Sequence, residues 1–162
     1  MASGNTLCVF LPQSHMPPAT SGPVFNLRNA QLVLEFANGS NLSALFRFIL
    51  PRNYSGNGLT ITIYWVTKTS TAGTALWGAS IERNNPGSSI TGDNFGAEVT
   101  QATGAPGTSG LVASTSINLP NGVGISNLQA GEAYRLKVRR LTNGVSDISD
   151  PCQVIAIEIK ET

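Results

Sequence analysis

The sequence predicts an all-β fold, an antiparallel β-sandwich of jelly-roll-like type with about 8–9 strands and an extended Pro-rich N-terminal segment. Three observations carry this. Leu59-Thr-Ile-Thr-Ile-Tyr-Trp65 alternates strictly, with Leu59, Ile61, Ile63 and Trp65 on one side and Thr60, Thr62 and Tyr64 on the other. Alternating β-branched and aromatic residues describe a strand with one face buried. Clusters of Asn, Gly and Pro punctuate the chain at short intervals, and no long stretch keeps a helical period.

From the N-terminus, a first strand is expected over residues 7–11. Residues 12–23, Pro-Gln-Ser-His-Met-Pro-Pro-Ala-Thr-Ser-Gly-Pro, contain four prolines. Each proline removes a ladder donor, so this segment cannot be a central strand. It reads either as an ordinary surface loop or as an arm or strap, long enough when stretched to span ~35–40 Å and reach a neighbouring subunit. Strands follow at 32–36 and 42–50, separated by Ala37-Asn-Gly-Ser40. The turn Pro51-Arg-Asn-Tyr-Ser-Gly-Asn-Gly58 leads into the strand ending at Trp65. Further strands are expected at 75–83, 97–102 and 111–119, with turns at Asn84-Asn-Pro-Gly87, Thr103-Gly-Ala-Pro-Gly107 and Asn121-Gly122. One short helical turn fits residues 126–131. In Tyr134-Arg-Leu-Lys-Val-Arg139, Tyr134, Leu136 and Val138 point inward and Arg135, Lys137 and Arg139 outward. After Asn143-Gly144, a last strand puts Ile155, Ile157 and Ile159 on one face. With no repeat and no linker, residues 1–162 form a single domain.

Charged residues make up 12% of the chain and the formal net charge is +1. A phosphate backbone would find no electrostatic footprint, so nucleic acid is excluded as a partner. The exterior is instead rich in Ser, Thr and Asn, groups that give up hydration at far lower cost than ions do. No apolar run approaches the ~18–20 residues that span a bilayer. Met1-Ala-Ser-Gly-Asn-Thr6 lacks the basic and apolar regions of a secretory leader, so synthesis in the cytoplasm is expected. Cys8 and Cys152 are expected as buried free thiols in that setting, with a long-range disulfide as the alternative.

Chemistry is sparse. His15 is the one histidine, and it sits in the Pro-rich segment, where nothing would hold the fixed geometry that catalysis needs. Asp147 and Asp150 are a close acidic pair that reads as a turn before Pro151 or as part of a calcium site. Gly56-Asn-Gly58 lacks the lysine and the helix of a phosphate loop. No enzyme, metal or cofactor is expected. The stripe Arg135, Lys137 and Arg139, with Arg140 beside it, is either a solvated face paired with residues such as Glu158 or Glu35, or a docking surface for an acidic partner. Tyr54, Tyr64 and Trp77 could stack on sugars, but Trp65 and Trp77 fit inward strand positions better.

Several segments together resemble a known group. They are Met1-Ala-Ser-Gly-Asn-Thr-Leu-Cys-Val-Phe-Leu-Pro12, the Arg47-x4-Arg52-Asn-Tyr-Ser-Gly-Asn-Gly58 turn, Ala130-Gly-Glu-Ala-Tyr-Arg-Leu-Lys-Val138 and Ile157-Glu-Ile-Lys-Glu-Thr162. These resemble small virion proteins of tailed bacteriophages, especially head-decoration (cement) proteins of phages infecting cyanobacteria. The resemblance implies a homotrimer that binds the major capsid protein on the outer capsid surface and stabilises the shell by mass action and multivalency. The candidate partner contacts are Pro17 and Pro18 in the arm, Arg52 and Tyr54 in the turn, and Arg135, Lys137 and Arg139 in the stripe. The alternative reading is a tail-fibre or receptor-binding β-sandwich module that recognises host-surface glycans.

Overall fold

The computed structural model describes residues 4–162 and contains ten strands in two antiparallel sheets. The strands are β1 (Thr6–Phe10), β2 (Val24–Arg28), β3 (Gln31–Phe36), β4 (Ser43–Ile49), β5 (Leu59–Thr67), β6 (Thr74–Asn84), β7 (Val99–Gly104), β8 (Ala113–Leu119), β9 (Ala133–Leu141) and β10 (Cys152–Glu161). The six-stranded sheet runs β2-β3-β10-β5-β8, with β1 also paired to β10, and the four-stranded sheet runs β4-β9-β6-β7. This is the expected jelly-roll-like sandwich.

The inward-facing residues form one core between the sheets. Trp65 and Trp77 are fully buried with ring centroids 6.1 Å apart, and Phe36 meets Trp77 edge-on at 5.1 Å. Edge-to-face pairs of this kind match the ring quadrupoles. Phe10 stacks on Phe46 from the opposite sheet at 5.0 Å. Tyr134, Leu136 and Val138 point inward as their alternation requires.

Four local expectations are corrected. The strand β2 escapes the sequence pattern because its turn, Asn29-Ala30, lacks the glycine that usually marks a two-residue hairpin. Both residues nonetheless take positive φ, 48° and 61°, as that turn type demands. The alternation of Ile155, Ile157 and Ile159 is broken by a bulge between Val154 and Ala156 opposite β5. Ile157 and Ile159 are buried, while Ile155 turns to the outer face beside Val33 and Val66. The short helical turn lies at Gly122–Ile125 rather than at 126–131. Finally, Arg140 is no part of an exposed stripe. It follows Val138 on the inward side of β9 and is 1% exposed.

Its guanidinium donates to the carbonyls of Phe36 (3.0 Å), Asp150 (2.9 Å) and Ile148 (2.7 Å) and to Asp147 Oδ1 (3.2 Å). A buried charge survives only when paired and hydrogen-bonded in this way.

Residues 12–23 lie against the free edge of β4. Pro12–Ser14 form a 3-10 turn, the Met16 N–H donates to Leu45 O at 2.8 Å, and Ser21 O accepts the Ser43 N–H at 2.8 Å. His15 is thereby buried, its Nδ1 accepting the Leu45 N–H at 3.4 Å and its ring beside Phe25 and Phe46. Burial lowers its pKa from 6.5. The neutral ring is thus favoured in the fold, so this contribution is complete above the unfolded pKa and is lost as pH falls below about 6.5. The melting temperature should drop from pH 7 to pH 5, a window above the range where the depressed Glu35 and Glu132 carboxyls protonate. His15→Asn, which keeps an acceptor and cannot charge, should flatten that drop. An unchanged slope would remove His15 as its source.

Candidate functional site

The outer face of the four-stranded sheet carries the site. Register places Arg47, Arg135 and Glu82 in one row across β4, β9 and β6, and Leu45, Lys137 and Ser80 in the next. Two segments remote in sequence close over these rows. From one side comes the loop of residues 85–98 between β6 and β7; from the other comes the strap around Pro18–Ser21.

The loop is fastened at several points. Glu82 is 2% exposed and receives the Asn94 N–H on Oε1 at 2.6 Å, while Arg135 Nε donates to its Oε2. Arg135 Nη2 also pairs with Asp93 at 2.6 Å. These bonds raise the Arg135 pKa, the hydrogen bond to Glu82 most of all. Phe95 lies across the stripe, with Lys137 Nζ 4.3 Å and Arg135 Cζ 4.9 Å from its ring centroid. Such cation–π contacts hold both partners in place. The Gly96 N–H and the Ser126 hydroxyl both donate to Ile81 O, at 2.9 and 2.7 Å. Glu98 folds over Gly78, where a Cβ would stand 2.7 Å from its carboxyl carbon and push it aside, and its carboxylate lies 3.6 Å from Arg139.

Arg135, Lys137 and Arg139 therefore lie half-buried beneath a fixed loop. Their acidic partners are Glu82, Asp93 and Glu98, not the expected Glu158 or Glu35, which belong to the other sheet. On that sheet Glu35 pairs with Lys68, and Glu158 accepts from Tyr64 and Thr6.

Three open clefts adjoin around the loop. The first, about 310 Å³, lies between Pro18, Thr20, Ser21, Asp93 and Lys137. The second, about 390 Å³, shares Asp93 with it and adds Arg83, Ser88, Ser89 and Asn94. The third, about 350 Å³, shares Asn94 with the second and adds Asn85, Phe95, Ser126 and Asn127. Each is at the small end of the ~300–1,000 Å³ range of ligand sites. Amides and hydroxyls are the largest group in the lining, beside the charged Glu82, Arg83, Asp93 and Lys137. Arg83 is held by a bidentate pair with Glu132 at 2.6 and 2.7 Å, which lowers the Glu132 pKa.

Pro18, Arg135, Lys137 and Arg139 thus gather on one face. Pro17 is exposed on the same strap. Arg52 and Tyr54 stand elsewhere, on the β4–β5 turn. Arg52 is exposed and packs against Gly131, and Tyr54 is half-buried, its hydroxyl accepting the Gly58 N–H at 2.8 Å and donating to Asn121 at 3.3 Å. Asp147 and Asp150 serve different partners, Asp147 bonding Arg140 and Asp150 accepting from the Thr69 and Ser70 N–H groups. No cluster of three or more metal-ligating side chains occurs among the described residues.

Cys8 and Cys152 are buried free thiols, with pKa values pushed up by burial to about 11 and about 12. Cys8 lies opposite Ile159 on β10, seven positions along from Cys152, or ~23 Å at strand rise. A disulfide needs Cα atoms within ~7 Å.

Asp93, Asn94 and Asn127 carry no signature of their own. The signal available was the loop's length, since a long unstructured connection in a compact domain is commonly a binding loop.

No protein-family model matches the chain, and no curated protein matches it by sequence. The virion resemblance therefore rests on the residues alone. Solved structures do share the fold. A family 35 carbohydrate-binding module from an environmental isolate superposes with a TM-score of 0.56 at 11% identity, covering 94% of this chain and 91% of that one. The CBM22-1 xylan-binding domain of Paenibacillus barcinonensis Xyn10C gives 0.54 at 11% identity, over 99% and 96%. The CBM36-1 domain of a multidomain xylanase from the hindgut metagenome of Trinervitermes trinervoides gives 0.52 at 12% identity, over 96% and 97%. At these identities the likeness is one of fold.

Proposed function

We propose that this protein is a glycan-recognising β-sandwich that acts by binding and not by catalysis, with the clefts around residues 85–98 as its site. The observation that carries the reading is the lining: amide and hydroxyl groups of Asn85, Ser88 and Asn94 on a loop pinned by Glu82 and Gly96, joined by Ser126 and Asn127 from the turn after Ile125. Preformed polar clefts suit sugar hydroxyls, because little ordering remains to be done on binding. The end-to-end fold likeness to carbohydrate-binding modules supports it. A host-surface receptor module of a virion would have this character.

The test is retention on a panel of immobilised polysaccharides, with Asn94→Ala as the site variant. The Asn94 side chain lines two clefts, and the fold uses only its backbone N–H. Losing one sugar hydrogen bond of about 1 kcal/mol should weaken binding about fivefold. Failure to bind any polysaccharide would overturn the reading.

Capsid decoration is kept as a second reading, on one observation. Val24, Phe25, Leu27 and Leu32 of the β2–β3 hairpin are all exposed at the sheet edge, and grouped apolar exposure marks protein contacts. Trimeric sedimentation and binding to expanded shells lacking the protein would support it. A monomer that ignores such shells would end it.

A further inference from the structure

Resting on the glycan reading above, we infer that the groove takes a neutral oligosaccharide several residues long, not an acidic glycan or a single terminal sugar. Charge carries the first half. Two cations among the described residues line the clefts and both are engaged: Arg83 by Glu132, and Lys137 by the face of Phe95 beside Asp93. Arg135 beneath them is held by Glu82 and Asp93, and exposed Arg47 in the same row lines none of the three clefts. An incoming carboxylate or sulfate would meet Glu82 and Asp93 at these same positions, and would have to break the Arg83–Glu132 pair or draw Lys137 off the Phe95 ring. A neutral hydroxyl needs no such exchange, and it finds uncharged partners in Asn85, Ser88 and Asn127.

Shape carries the second half. The clefts adjoin in series, the first sharing Asp93 with the second and the second sharing Arg83, Ser88 and Asn94 with the third. A single sugar could fill one of them. A chain could occupy all three, making contacts with both the strap and the loop, each connected unit binding at the high effective concentration set by its neighbour.

Calorimetric titration of the full chain with glucose, cellotriose, cellopentaose, xylose, xylotriose, xylopentaose and trigalacturonate, at 50 and 500 mM NaCl, tests this. One neutral series should gain at least about tenfold in affinity from monosaccharide to trisaccharide, ~1.4 kcal/mol, and should gain again at five units. That affinity should change less than about twofold with salt, since exposed charges alone are screened on this scale. Tighter binding of trigalacturonate with a steep salt dependence would overturn the inference and leave glycan binding intact. Equal affinity for monosaccharide and trisaccharide would overturn it likewise. Binding of none of these probes would overturn both the inference and the glycan reading.

Discussion

Replacing Arg140 with methionine is expected to lower stability by about 3–5 kcal/mol, the cost of breaking a buried, hydrogen-bonded charge while leaving its partners in place. Three carbonyls and Asp147 Oδ1 converge on its guanidinium from β3 and from residues 147–150. The methionine fills the stem's volume and donates nothing, so Asp147, whose side chain is 8% exposed, keeps an uncompensated charge. Denaturant unfolding of the variant reads the loss directly. Adding Asp147→Asn should recover part of it, because the stranded carboxylate is then removed. A loss below about 1 kcal/mol, the size of an ordinary surface pair, would mean the clamp is solvated and not structural.

Glu82→Ala is expected to cost a comparable amount, about 3–5 kcal/mol, and to abolish glycan binding together with it. Two groups depend on this carboxylate, the Arg135 guanidinium and the Asn94 N–H. Without it the loop loses its anchor over β6, and the clefts defined by Asp93 and Asn94 lose their walls. Glu82→Gln separates the two effects. The amide keeps an acceptor for Asn94 but no charge for Arg135, so binding should survive better than stability. Backbone hydrogen exchange at 92–96, fast in Glu82→Ala and slower in Glu82→Gln, would follow the anchor itself. Unaltered exchange in the alanine variant would show that the bonds of Gly96 to Ile81 and Asp93 to Arg135 hold the loop without Glu82.

How far the sequence carried these conclusions depended on whether the information was periodic. Strand alternation placed Trp65, Trp77, Tyr134, Leu136 and Val138 inside, because a period of two can be read from one chain. The same rule applied one step further would have buried Arg140, but its charge argued for the surface. Only its four acceptors, three from the connection after β9 and one from the end of β3, make the buried position tolerable. β2 was hidden by an Asn-Ala turn and by apolar residues left exposed on both faces. The site was the least legible part. Arg135, Lys137 and Arg139 stood out as a stripe, yet what covers them, Asp93, Phe95 and Glu98, came from a stretch that read as turn. Which acid meets which base is a question of sheet membership, and alternation says nothing about that.

The last strand of the chain, β10, holds an interior place in the six-stranded sheet, between β5 on one side and β1 and β3 on the other. During synthesis nothing occupies that place until residues 152–161 emerge. Until then β5, β3 and β1 present unpaired edges, and Trp65 lacks Val154 across from it. Pairing of residues 6–10 with 157–160 also closes a loop that contains the other eight strands, which makes for slow, non-local folding. The nascent protein must therefore stay soluble with open strand edges until β10 is made, and deleting β10 would leave it in that state permanently.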